Sequence, residues 1–166
     1  MFLIYDTFMK SIKVLFFLLL LLYASSSYGK ELSTKEMASM VHTIEPFAMQ
    51  YGEGSIKAYV FVDPKCPHSR DFISMIHENE KMRGIYRYYI FFYELKRFKS
   101  HQLIASIYTS ASPLQKMLEV MVGDKEIESI PSVPSKIEEQ ISDIESVAVT
   151  LGVKKRPYLF IAKEWN

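Results

Sequence analysis

Cys66 has the most chemistry to offer in this chain of 166 residues, and it is the only cysteine. It opens the run Cys66-Pro67-His68-Ser69, directly after the apolar stretch Ile56–Val62 and a short link, Asp63-Pro64-Lys65. An apolar run of that length between turn residues reads as a buried strand. Pro67 sits where a first helical turn tolerates a missing N–H, and Ser69, Phe72, Ile73 and Ile76 recur on one face at helical spacing. Cys66 is therefore expected at the mouth of a helix, where unpaired N–H groups and the positive dipole end favour a thiolate. In that setting it is a candidate nucleophile. The competing reading is a small, inert, buried hydrophobe.

The elements that must hold this thiol follow from pattern. Ile56–Val62 is apolar apart from Lys57 near its start, as in a central strand covered on both faces. The helix from Pro67 is expected to reach Glu80 or Lys81. Arg83-Gly84 then turns the chain into Ile85–Tyr93, an aromatic, strongly β-prone run. Strand, helix, strand at this spacing is a βαβ unit, parallel and right-handed. The fold class is α/β.

Upstream, Ser33-Thr34-Lys35-Glu36 reads as a capping box for a helix with Met37, Met40, Val41 and Ile44 on one face. Gly52-Glu53-Gly54 closes this N-terminal helical segment, residues 30–54. Downstream, helices are expected over His101–Tyr108 and from Ser112-Pro113 to Gly123, followed by a surface loop through Pro131 and Pro134. A second capping box, Ser135-Lys136-Ile137-Glu138, opens a helix whose Ile137, Ile141, Ile144, Ala148 and Leu151 form a core-facing stripe, with Gly152 as C-cap.

Residues 1–29 read as a signal peptide: Lys10 and Lys13, then Val14–Leu22, then the small and polar residues Ala24–Ser27. Met9 is a possible alternative start. The expected location is the periplasm or the exterior, and an uncleaved, membrane-anchoring segment is the alternative. In an exported chain a leftover cysteine points to a reactive thiol or to pairing with another molecule. Net charge is +1, and from Lys30 onward the chain holds 18 basic and 18 acidic residues. Without a basic stripe, nucleic acid is not an expected partner.

At Cys66-Pro67-His68-Ser69 the chain resembles the thioredoxin-fold thiol–disulfide oxidoreductases of the bacterial envelope, in which Cys-x-x-Cys occupies this place and Cys-Pro-His opens the DsbA-type motif. The approach Gly152-Val153-Lys154-Lys155-Arg156-Pro157 is similar to the segment that leads into their cis-proline strand. The order of elements over residues 55–161 is most similar to the DsbC/DsbG-type catalytic domain. The resemblance implies a thioredoxin-like domain over residues 55–166, with a helical insertion over 100–151 and a shortened C-terminal part. It implies a cis Pro157 lying against Cys66, a strand from Tyr158 to Ile161, and substrate binding by Arg156, Pro157 and Tyr158. Ser69 replaces the second cysteine, Arg156 replaces a small or β-branched residue, and a separate N-terminal dimerisation domain of the isomerase kind is not expected.

A lone thiol attacks a disulfide and forms a mixed disulfide, but Ser69 cannot resolve it. What the resemblance implies is isomerase- or reductase-type exchange, with the Ser69 hydroxyl, His68 and the helix end supporting a thiolate. Arg156 would add positive charge for the thiolate or for acidic substrates. The implied partners are envelope proteins with cysteines and a redox partner protein, and no cofactor is expected. The alternative is a redox-inactive binding or chaperone module of an envelope or secretion assembly. Cys66 with His68, His42, His77 or His101 matches no metal-ligand spacing, so no metal is expected. Asp63 and Glu94 could pair near the thiol for proton handling, but carboxylates at such loop and strand-end positions are ordinarily solvated.

Overall fold

The apolar run Ile56–Val62 is a strand, and three others assemble around it in the computed structural model, which describes residues 32–126, 130 and 132–162. The expected signal peptide and the region of the shortened C-terminal part lie outside these residues. The strands are β1 (Met49–Tyr51), β2 (Ile56–Val62), β3 (Tyr86–Phe92) and β4 (Tyr158–Ala162), in sheet order β1-β3-β2-β4. β2 and β3 are parallel, with Ile56 opposite Tyr86 and Val62 opposite Phe92, while β1 and β4 run antiparallel to their neighbours. Among the described residues the helices are α1 (Thr34–His42), α2 (Pro67–Glu78), α3 (Glu80–Ile85), α4 (His101–Tyr108), α5 (Pro113–Met121) and α6 (Ser135–Thr150). The crossover from β2 to β3 is α2 and α3. The helical insertion between β3 and β4 is α4 to α6.

Both central strands are buried along five consecutive residues, Ala58–Val62 and Tyr88–Phe92. Side chains alternate between the two faces of a strand. One face therefore carries Tyr59, Phe61, Tyr89, Phe91, Tyr158 and Phe160, whose rings meet across the strands at centroid separations of 5.2–6.4 Å. The other carries Ala58, Val60, Tyr88, Ile90, Leu159 and Ile161, and Phe72 of α2 meets Tyr88 edge-on. α1 lies against β4, α6 against β3, and α5 against both β1 and α2. On α6 the stripe Ile141, Ile144 and Ala148 is buried.

Three local expectations change. Segment 30–54 is not helical throughout: after α1 and the short 3-10 turn Glu45–Phe47, residues Met49–Tyr51 pair with β3 as an edge strand. The crossover helix breaks at Asn79, whose side-chain oxygen accepts from the Met82 N–H and so restarts the helix as α3. The box Ser135–Glu138 does not form. Pro134 takes the N-cap position without a side-chain cap, and the Glu138 carboxylate instead meets His101 Nε2 at 2.9 Å. The first box does form, with the Ser33 hydroxyl and the Glu36 carboxylate each meeting the other's backbone N–H. Gly54 is obligatory because a Cβ there would stand 2.0 Å from the Ile85 carbonyl carbon.

Candidate functional site

β2 delivers its C-terminal end into a tight turn that sets the start of α2. Asp63 accepts the Lys65 N–H at 2.8 Å through its own carboxylate, an Asx turn, and its carbonyl accepts the Cys66 N–H at 3.0 Å. Cys66 is then the extended N-cap residue of α2, and its carbonyl accepts from the Arg70 N–H. Pro67 is the first helical residue.

The thiol is buried, with 1% exposure, and its S–H points at the Arg156 carbonyl 3.8 Å away. The Arg156–Pro157 peptide bond is cis. Two segments 90 residues apart in sequence thus meet at the sulfur. Pro157 and Tyr158 are half-buried, and the Tyr158 ring lies 6.4 Å from that of Phe61. Pro67 and His68 are exposed, and among the described residues His68 has no hydrogen-bond or ion-pair partner. Ser69 is fully buried, and its hydroxyl oxygen accepts the Asp63 N–H at 3.2 Å. Its observed bond is thus to the turn.

Arg156 departs furthest from expectation. Its guanidinium is buried and donates to the carbonyls of Tyr93 at 3.0 Å, Glu94 at 3.0 Å and Val153 at 3.3 Å. It also stacks on the Tyr93 ring, 3.6 Å from its centroid. Burial draws its pKa down from the ordinary arginine value, against the hydrogen bond and charge of Tyr93 and the nearby Asp63 and Cys66. A charge so committed fastens the proline segment to the end of β3. It does not face outward to an acidic substrate.

Asp63 is the residue that sequence reasoning undervalued. It is fully buried, and its second carboxylate oxygen accepts from the Leu95 N–H at 2.6 Å and the Ser100 hydroxyl at 2.8 Å. One side chain joins the end of β2, the loop after β3 and the start of α4. Glu94 is not its partner, since that carboxylate accepts from the His101 N–H at 3.1 Å. The available signal was the Asp63-Pro64-Lys65 order, which favours an Asx turn. Nothing local signalled the long-range bonds. Among the described residues no three His, Cys, Asp or Glu side chains come together to hold a metal ion.

No family model and no curated protein matches the sequence. Solved structures do match. A disulfide interchange protein from Neisseria gonorrhoeae aligns with a TM-score of 0.52 at 21% identity, over 69% of this chain and 79% of that one. Proteus mirabilis ScsC in a compact conformation aligns with a TM-score of 0.58 at 11% identity, over 97% and 86%. The catalytic domain of the same protein gives 0.50 at 11% identity, over 78% and 86%. At these identities the likeness is one of fold, and the mixed four-stranded sheet with its helices has a thioredoxin-like fold.

Proposed function

We propose that this chain is an exported thiol–disulfide exchange protein that acts through Cys66 alone, as an isomerase or a reductase. The Cys66 thiolate attacks one sulfur of a substrate disulfide, forming a new S–S bond while the other sulfur leaves as a thiolate and takes up a proton. A second thiol, the substrate's own or that of a redox partner protein, then attacks the mixed disulfide and releases Cys66. Ser69 has no sulfur with which to do this. Pro157 and Tyr158 border the thiol where an extended substrate would lie, and Arg156 holds that border in place.

The observation that carries the reading is the meeting of the only thiol, at the N-cap of α2, with the carbonyl that precedes a cis proline. The neighbour described as a disulfide interchange protein supports it by fold. Reduced protein mixed with oxidised glutathione should gain one glutathione on Cys66, seen by intact mass, while the protein remains folded. Cys66→Ala should gain none. Modification that tracks global unfolding alone would sink this proposal. The 1% exposure of Cys66 favours a second reading, a redox-inactive binding module in which the thiol is a packing residue.

A further inference from the structure

Arg156 does not turn a positive charge outward beside the thiol, but its surroundings do. Three segments meet at Cys66, and each brings exposed cations. Lys65 directly precedes Cys66, and Lys154 and Lys155 lead into Arg156, whose carbonyl meets the sulfur. Lys96, Arg97 and Lys99 lie on the loop after β3, which is fastened to the turn before Cys66. There the Leu95 N–H and the Ser100 hydroxyl donate to Asp63, and Lys65 Nζ donates to the Lys99 carbonyl at 3.1 Å. All six side chains are exposed, and among the described residues none is paired with a carboxylate. Arg70, further along α2, is by contrast matched by Asp124 at 2.5 Å. The carboxylates on these segments are Asp63, fully buried near the Arg156 guanidinium, and Glu94, which accepts from the His101 N–H. From Lys30 onward the chain holds 18 basic and 18 acidic residues, so this excess is local to the thiol.

We propose that this cationic collar selects the exchange partner of Cys66 by charge, and that the partner is an acidic polypeptide with Asp or Glu close to the disulfide that is attacked. The proposal rests on Cys66 acting as the exchange thiol. Charge of one sign around a reacting group raises the local concentration of an oppositely charged partner and its association rate. Screening confines the effect to about 8 Å at physiological ionic strength. An extended chain covers about 3.3–3.6 Å per residue, so the acidic residues belong within a few positions of the substrate cysteine. Cations drawn from three segments around one thiol suit carboxylates spaced along such a chain better than a single compact anion.

The probes are symmetric disulfides of three matched peptides, Glu-Gly-Cys-Gly-Glu, Gln-Gly-Cys-Gly-Gln and Lys-Gly-Cys-Gly-Lys. Attack by the Cys66 thiolate forms a mixed disulfide and releases one peptide as a thiolate, which takes up a proton. Intact mass follows the product, and each rate is divided by that of 2-mercaptoethanol with the same peptide to remove intrinsic reactivity. At low salt the glutamate peptide should react at least tenfold faster than the lysine peptide, with the glutamine peptide between. The ratio should collapse at about 1 M salt, where the Debye length is about 3 Å. The double substitution Lys154→Glu and Lys155→Glu should slow the glutamate peptide several-fold more than the glutamine peptide. Equal normalised rates for all three peptides overturn the charge selection and leave exchange through Cys66 standing. Reaction with none of them sinks the exchange reading and this proposal with it. Equal rates together with cosedimentation on anionic phospholipid vesicles would assign the collar to a membrane surface instead.

Discussion

Arg156 commits each of its three guanidinium nitrogens to a backbone carbonyl. Its bonds to Tyr93, Glu94 and Val153 hold its own carbonyl over the Cys66 sulfur, so the side chain positions the proline segment from behind. Charged hydrogen bonds contribute about 1.5–3 kcal/mol each, and about 1.4 kcal/mol is a tenfold change in an equilibrium. Arg156→Thr should therefore raise the alkylation rate of Cys66 by iodoacetamide at least tenfold in the absence of denaturant. Arg156→Lys, which cannot span three carbonyls, should fall between. A local opening also leaves the rate insensitive to low urea, which a global destabilisation would not. An unchanged rate in Arg156→Thr would show that the segment is held by other means. The thiol and its helix were legible in the sequence because Cys66, Pro67 and the apolar spacing after them are local signals. The commitments of Arg156 and Asp63 were not, because each is made with residues about 30 to 60 positions away.

Helices and strands that bury a long stripe were legible almost to the residue. β2 matches its apolar run, α4 matches His101–Tyr108, and the stripe of α6 is buried as its spacing requires. β1 escaped notice because three residues are too few to show alternation. The break at Asn79 escaped because the sequence on both sides is helix-prone, and only the Asn79 cap separates α2 from α3. Where β3 ends, tertiary structure replaces a strand partner: the Phe92 N–H donates to the Tyr108 hydroxyl at 3.0 Å, and the two rings meet edge-on. Burial pushes the Tyr108 phenol far above its ordinary pKa, so it stays neutral and remains a hydroxyl acceptor. Tyr108→Phe strands a buried N–H, which costs about 1–3 kcal/mol. Chemical denaturation should show a lower midpoint at an unchanged slope. A midpoint equal to that of the unsubstituted protein would mean that water replaces the hydroxyl.

Across the molecule, the segment before β1 is tied to the sheet by Glu45. Its carboxylate accepts from the Tyr59 hydroxyl and pairs with Lys57 at 3.3 Å and with His42 at 3.2 Å. Burial pushes its pKa up, but the Tyr59 bond and the Lys57 charge outweigh that and hold it below the ordinary glutamate value. A depressed carboxyl stabilises the fold above its unfolded pKa, about 4.3, and that contribution is lost as pH falls through the folded value. Glu45→Gln should therefore flatten the acid limb of stability against pH and lower stability at neutral pH. Parallel curves for the two proteins would remove Glu45 from the account. The order β1-β3-β2-β4 also has unequal margins. β1 is three residues long and flanked by α5, whereas β4 presents five residues with no further strand among the described residues. An edge of five residues offers more unpaired N–H and C=O groups than an edge of three, so an extended segment of another chain would add to this sheet at β4 rather than at β1.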